Sequence, residues 1–272
     1  MGKLSISILD PRIQQIFLLS SFLSFGWFFL DWYLSATIYM AAIGGSVITQ
    51  LFWIKLKRLN YNSILSALIS GLGLCLLLKV NSWHWMLAAS VLTISSKFLI
   101  RRDGKHIFNP TNFGIIILLI LGTGWVSPGQ WGSNLLIAVF LFFSAATVLL
   151  GVKRWDVALT FLFTLLVLEF SRSCVYLGWP VDFVLHKFEN GTLLLFSFFM
   201  ITDPRTAPNH RRARMIWAVA LAITSFILSQ FFYFYKAPII ALFAFSIAVP
   251  FLNRIIQAPQ FNWISQTNTQ QL

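Results

Sequence analysis

The feature that most constrains this chain is a succession of long apolar runs separated by short polar connections. Apolar residues make up 58% of the 272 residues, and charged residues only 10%. A water-soluble domain of this length needs more charge on its surface, and its helices show a periodic apolar stripe instead of continuous runs. The 28 Phe and 11 Trp fit lipid-facing and interfacial positions. The sequence therefore predicts an all-α, polytopic membrane helix bundle forming a single transmembrane domain over 1–272.

A membrane-spanning helix needs roughly 20 apolar residues, or fewer when it is short or re-entrant. Ten runs fit this requirement, so we predict about ten transmembrane helices. They lie near 14–30, 33–54, 62–78, 83–100, 112–127, 133–152, 156–171, 191–202, 213–235 and 237–256. Between the seventh and eighth runs, segment 172–190 mixes charged and apolar residues. It could extend a span, lie in the membrane interface or re-enter.

The basic residues cluster in alternate connections, which predicts the orientation. With the N-terminus in the cytoplasm, about 16 of the 20 Lys and Arg fall on the cytoplasmic side, as does a short polar tail at 257–272. The formal net charge of +12 then reflects orientation and contact with anionic lipid. Nucleic-acid binding is not expected, because no basic face with interleaved exposed aromatic residues is present.

Two connections carry an Asn or Asp followed directly by Pro, at Asn109-Pro110 and Asp203-Pro204. This pair is typical of a helix start, where the first residue caps free backbone N–H groups and Pro needs no donor. A helix start presents partial positive charge and suits an anionic ligand. Both pairs could equally be ordinary caps at the membrane surface. Their placement in corresponding halves of the chain also fits an internal duplication of about five spans.

The residues around these pairs resemble a known family. Two segments are similar to motifs of the NqrB/RnfD family. The first is Lys105-His106-Ile107-Phe108-Asn109-Pro110 with Phe113-Gly114. The second is Phe198-Phe199-Met200-Ile201-Thr202-Asp203-Pro204 with Thr206-Ala207-Pro208. These are membrane subunits of a sodium-pumping quinone reductase and of the Rnf complex. The segment Trp125–Gly132 is closer to a shorter RnfD-like branch that includes membrane proteins of enediyne biosynthesis clusters.

The resemblance implies two inverted five-helix repeats, about 14–127 and 133–256, related to urea and ammonium transporters. It also implies flavin-mediated electron transfer coupled to ion movement in a bacterial plasma (inner) membrane. In the family, FMN is attached to a Thr in a Ser-Gly-Ala-Thr motif, which this chain lacks. The nearest string, Ser144-Ala145-Ala146-Thr147, lies deep in an apolar run and fits helix packing. Thr192 is expected to be an exposed hydroxyl, but its context does not match either, so any FMN or riboflavin is expected to be non-covalent.

Other polar residues have structural and functional interpretations. Glu169 and Arg172 are spaced to pair on one helix face, although an intramembrane carboxylate can also serve an ion path. Asp203 with Arg205 and His210 forms a charged cluster at a predicted helix start. Asp156 is expected to be a solvated loop charge. Gly44-Gly45 and Gly71/Gly73 fit close helix packing, and the Cys and His residues show no metal-ligand spacing.

The leading hypothesis is an RnfD-like membrane subunit in electron transport coupled to ion transport. It would not be a complete enzyme, because no nucleotide-binding or iron–sulfur motif is present, so other membrane or electron-transfer subunits must supply electrons. The alternatives are a channel or transporter without a redox role, and an accessory membrane protein of a biosynthetic pathway. The candidate ligand-site residues are Lys105, Asn109, Pro110, Thr111, Thr202, Asp203, Pro204 and Arg205.

Overall fold

The structure is a computed structural model that describes residues 11–30, 32, 35–127 and 154–260. Helices account for most of this part of the chain. They are α1 (Pro11–Phe29), α2 (Ala36–Lys57), α3 (Ile64–Leu77), α4 (Trp83–Leu99), α5 (Pro110–Ile120), α6 (Trp155–Phe170), α7 (Val181–Phe188), α8 (Gly191–Leu195), α9 (Arg211–Gln230), α10 (Ala237–Ser246) and α11 (Val249–Ile255). A 3₁₀ turn at Tyr61–Ser63 leads into α3, and π-helical turns at Ser171–Tyr176 and Phe196–Met200 extend α6 and α8.

The outward faces of these helices are apolar. Phe17 and Phe28 on α1, Ile48 on α2, Phe163 on α6 and Ile216 on α9 are each at least 63% exposed. Exposed apolar surface of this extent is unfavourable in water and favourable in lipid hydrocarbon. The inner faces pack into a large core, in which α2 contacts α3 and α4, and α6 contacts α9, and Trp53, Ala67 and Ile94 form a small second cluster. The molecule is therefore a helical, multi-pass membrane protein.

A helix lies at each of the nine predicted spans that fall on described residues, and the sixth prediction, 133–152, lies outside them. Within the described ranges, three helical stretches are long and apolar enough to cross a membrane alone: Ala36–Lys57, Trp155–Tyr176 and Arg211–Gln230. A fourth crossing results if α10 and α11, which meet at a bend of 49°, act together. Pro110–Ile120 and Gly191–Met200 are shorter than a full span.

Small residues bring α2, α3 and α4 together. A Cβ atom on Gly71 of α3 would lie 3.1 Å from Ala42 O and 3.2 Å from Ile43 Cα of α2. A Cβ atom on Gly45 would lie 2.8 Å from Leu87 Cδ1 of α4. Gly44, in contrast, has no neighbouring atom of the described residues within 4 Å of its Cβ position. The predicted packing role is therefore confirmed for Gly45 and Gly71, and for Gly73, whose Cβ would lie 3.1 Å from Thr111 Cγ2 of α5. For Gly44 it is wrong within the described part of the chain.

Segment 172–190 first extends α6 by the π-helical turn, reverses at Gly178 with φ of 70°, and then forms the amphipathic helix α7. Lys187 of α7 reaches back to the buried Glu169, with 2.7 Å between Nζ and Oε2. Gln230 Nε2 donates to the other carboxylate oxygen at 2.7 Å. The predicted pairing of Glu169 with Arg172 is wrong, because the Arg172 guanidinium lies over the Phe231 ring instead.

Two short β-ribbons join the helices within the described ranges. Strand β1 (Lys79–Val80) pairs with β4 (Gly124–Trp125). Strands β2 (Arg101–Arg102) and β3 (Lys105–His106) form a hairpin. The two residues between them, Asp103 and Gly104, both have positive φ, as a tight hairpin turn requires. This hairpin places Lys105 and His106 directly before α5.

Candidate functional site

The first Asx-Pro pair starts a helix as predicted. Asn109 is the N-cap of α5, and its side-chain oxygen accepts a hydrogen bond from the Asn112 backbone N–H at 3.1 Å. Pro110 occupies the first helical position, where its lack of an N–H does not matter. Both residues are buried, so this helix start lies inside the protein and not at its surface.

The second Asx-Pro pair does not start a helix, so that prediction is wrong. The Asp203 carboxylate accepts a hydrogen bond from the Arg205 N–H at 3.0 Å, and its carbonyl accepts from Thr206 and Ala207. The resulting single turn does not continue, because Pro208 has no N–H to donate and restricts the residue before it. Helix α9 begins only at Arg211.

The two predicted loops, about a hundred positions apart in the sequence, contact each other. Lys105 Nζ donates to Ala207 O at 3.1 Å and to Asn209 Oδ1 at 2.8 Å. Asn109 Nδ2 donates to Met200 O, at the end of the α8 extension, at 3.3 Å. These contacts place the start of α5 against the end of the other short apolar helix.

A cavity of about 120 Å³ lies at this junction. Seven of the eight predicted site residues line it: Asn109, Pro110, Thr111, Thr202, Asp203, Pro204 and Arg205. Lys105 lines a neighbouring cavity that shares His106 and Arg205 with the first. The rest of the first cavity is largely apolar and includes Leu19, Leu76, Phe198 and Phe199, with Arg12 and Ser66 as further polar groups.

The two threonines of the cavity are not free to react. Thr111 Oγ1 donates to Ser70 O at 3.3 Å, and Thr202 Oγ1 donates to Phe198 O. Both residues are buried. Attachment of a phosphate to either hydroxyl would break an internal hydrogen bond, so these residues suit a group that is held without a covalent bond. The expected exposed hydroxyl of Thr192 is also wrong, because that residue is 8% exposed.

Charge at the site is arranged around Asp203. Burial raises the pKa of its carboxyl, but His106, whose Nε2 lies 3.7 Å from Asp203 Oδ2, and the Arg205 N–H together hold the pKa below its usual value. Burial lowers the pKa of Lys105 to about 8, against the attraction of Asp203. The site thus holds an ionised carboxylate beside an imidazole and a buried amine.

Comparison with known proteins identifies the family of this chain. The model of the NQR2, RnfD, RnfE family matches residues 120–262, which include the Thr202-Asp203-Pro204 turn. This chain belongs to that family. It is also 28% identical over 139 residues to a subunit of the ion-translocating oxidoreductase complex of Cronobacter sakazakii. That alignment covers 49% of this chain and 36% of the relative, so the chain spans only about a third of the relative it matches.

Within this member of the NQR2, RnfD, RnfE family, sequence reasoning chose the wrong histidine. His106, not His210, lies beside Asp203, whereas the His210 imidazole accepts from Arg212 N–H at 3.2 Å as the cap of α9. The Asp-Gly pair at 103–104 is a strong hairpin signal and predicts that the two residues after it fold back. This hairpin signal would therefore have identified His106 as a candidate site residue.

The prediction of a solvated Asp156 is also wrong. Asp156 is 6% exposed, and its Oδ2 accepts from Arg214 Nη2 at 2.7 Å and from Nε at 3.1 Å. Arg214 Nη1 in turn donates to Asn209 O at 2.6 Å. Because Asn209 also holds Lys105, this buried ion pair supports one wall of the site. No local sequence signal joins Asp156 to a residue 58 positions away.

Proposed function

We propose that this protein is a membrane subunit of an ion-translocating electron-transport complex. Family membership and the complex to which the Cronobacter relative belongs support this role. The observation that carries it is the junction of the two family-like motifs, where a buried helix start, an ionised carboxylate and an apolar cavity meet. Electrons would be supplied by other subunits.

We further propose the ten-helix topology with two inverted repeats and a cytoplasmic N-terminus in a bacterial inner membrane. Short apolar helical segments lie at corresponding spans of the two proposed repeats: Tyr61–Leu77 at the third span and Gly191–Met200 at the eighth, each after an Asn cap. The end of Gly191–Met200 meets the start of Pro110–Ile120. Broken helices of this kind, one in each half of the chain, are typical of inverted-repeat membrane proteins, and their ends form the ligand site.

We propose that the side chains of the first cavity contact part of a non-covalently bound flavin, FMN or riboflavin, because a volume of about 120 Å³ admits only part of such a molecule. Phe198, Phe199 and the leucines offer apolar contact to a planar ring, and Asn109 and Arg205 offer polar contact to its edge. When bound, a flavin accepts and releases electrons one or two at a time. The Asp203 carboxylate would then place negative charge near the ring, with the His106 imidazole beside it, and the apolar wall would exclude water.

The test is spectroscopic. The protein, purified in mild detergent from cells with ample flavin, is expected to show flavin absorbance, with no fluorescent band after denaturing electrophoresis. Asp203→Asn should reduce flavin content or shift its reduction potential, whereas Lys55→Gln, on the exposed end of α2, should change neither. Colourless wild-type protein would contradict the redox role and favour the alternatives, a channel or transporter, or an accessory membrane protein.

A further inference from the structure

A second cavity, of about 310 Å³, lies beside the first and carries a surplus of positive charge. Its charged lining residues are Arg102, Asp103, Lys105, Arg205 and Arg254, and His106 also lines it. Among these described residues, Asp103 supplies the one carboxylate, and its Oδ2 already lies 3.8 Å from Arg254 Nη2. The other three cationic side chains, Arg102, Lys105 and Arg205, therefore line this cavity with no further carboxylate among its lining residues to neutralise them.

The inner wall of the second cavity is built by buried groups. Lys105 is 8% exposed, and its ammonium is held by the Ala207 carbonyl and the Asn209 side chain, both of which are neutral. Asn209 is fixed in turn, because its N–H donates to Asn253 Oδ1 at 2.8 Å. These hydrogen bonds thus orient the Lys105 ammonium, but their acceptors carry no negative charge that would neutralise it.

Arg205 connects the two cavities and has spare hydrogen-bonding capacity. Its backbone N–H binds Asp203, but its guanidinium has no hydrogen bond or ion pair within the part of the chain that the structure describes. The positive charges of Arg154, Arg205 and Arg214 act on Lys105 in the same direction as burial, lowering its pKa. Cations held this close repel one another, and a bound anion would relieve that repulsion.

We propose that the second cavity binds a phosphate group, held by Lys105 and Arg205 with Arg102 at its rim. A guanidinium fork matches phosphate oxygens in two parallel hydrogen bonds, and an ammonium adds a point charge. The four amide side chains of the lining, Asn209, Asn253, Gln257 and Gln260, can donate to the remaining oxygens. The phosphate belongs either to an anionic phospholipid headgroup or to a soluble phosphate compound. This site needs no flavin, so it goes beyond the redox role proposed above.

The test uses the full chain purified in mild detergent and phosphate-free buffer. Two probes are measured separately: radiolabelled inorganic phosphate by equilibrium dialysis, and phosphatidylglycerol against phosphatidylcholine by native mass spectrometry. We expect one probe to bind at one site per chain. Arg205→Gln should weaken that binding about tenfold, as loss of one charge-assisted contact does, and Arg102→Gln should weaken it less. Lys55→Gln, which removes one exposed charge that does not line the cavity, should leave it unchanged.

The two probes separate the sources of the phosphate. Saturable binding of inorganic phosphate that depends on Arg205 assigns the site to a soluble phosphate compound. Preferential retention of phosphatidylglycerol that depends on Arg205, without phosphate binding, assigns it to a lipid headgroup. The proposal is overturned if neither probe binds at a defined stoichiometry, or if Arg205→Gln binds within twofold of wild type. Flavin content is measured in the same samples. Because Arg205 also lines the first cavity and Arg102 does not, the Arg102→Gln variant distinguishes loss of phosphate binding from loss of the redox role.

Discussion

At the residue scale, the charged groups of the site are set by partners that are distant in the sequence. Asp156 follows Lys153-Arg154 and looks like a solvated charge, yet the fold buries it against Arg214. An unpaired buried carboxylate is costly, so a long-range cationic partner is what allows this burial. The family resemblance assigned both loops to one site, but the sequence missed these pairings, because a single sequence does not reveal which charges become neighbours.

Lys105 should make stability depend on pH. Its pKa is about 8 in the folded protein and about 10.4 in an unfolded chain, so the unfolded chain binds more protons between these values. The free energy of unfolding should therefore rise as pH increases from about 8 to about 10.4, by on the order of 3 kcal/mol. Unfolding in detergent, followed by Trp fluorescence across this range, measures the rise. Lys105→Met should lose that contribution and Lys55→Met should keep it. Equal slopes in wild type and Lys105→Met would contradict the assigned pKa.

At the element scale, apolar runs predicted where helices lie better than how they end. The Asn109-Pro110 pair was interpreted correctly because nothing after it interrupts the helix. The Asp203-Pro204 pair was not, because Pro208 follows within five residues and stops the turn. The shortness of Pro110–Ile120, predicted as 112–127, was missed for a different reason, whereas the short prediction 191–202 agrees with Gly191–Met200. Apolar loop residues that follow a buried helix end lengthen the apolar run in the sequence, although the helix itself has already ended.

Alanine substitutions at two glycines distinguish the effect of close helix packing from the effect of helix propensity. Gly71→Ala should destabilise the protein by about 1–3 kcal/mol, because its Cβ would press on the rigid backbone of Ala42 and Ile43. Gly44→Ala should be neutral or stabilise by up to about 1 kcal/mol, because its Cβ meets open space and Ala favours a helix. Thermal unfolding in one detergent compares the two variants. Similar losses in both would mean that α2 and α3 do not approach as closely as described.

At the scale of the whole molecule, contacts bring most of the basic segments to one end. Arg12 Nη1 donates to Asn62 O at 3.2 Å, which joins the start of α1 to the start of α3. Lys57 Nζ reaches Phe98 O at 3.5 Å, which joins the ends of α2 and α4. The Lys105–Asn209 bond then adds the loop before α9. The connections that the positive-inside rule assigns to the same side of the membrane are therefore also close to one another in the structure.

This arrangement leads to a labelling prediction. In a background without Cys75 and Cys174, Arg212→Cys at the start of α9 should react with a membrane-impermeant maleimide only after the cells are opened. Asp182→Cys, in the exposed helix α7, should react in intact cells, because α6 with its π-helical turn is long enough to separate α7 from the basic end. Exposed Arg58→Cys, beyond α2, is the matched control and should behave like Arg212→Cys. Reaction of all three positions from the same side would mean that α6 does not cross the membrane. The reverse pattern would place the N-terminus outside the cell. Because the contacts hold the basic segments together, all of them must lie on the same side of the membrane as the N-terminus.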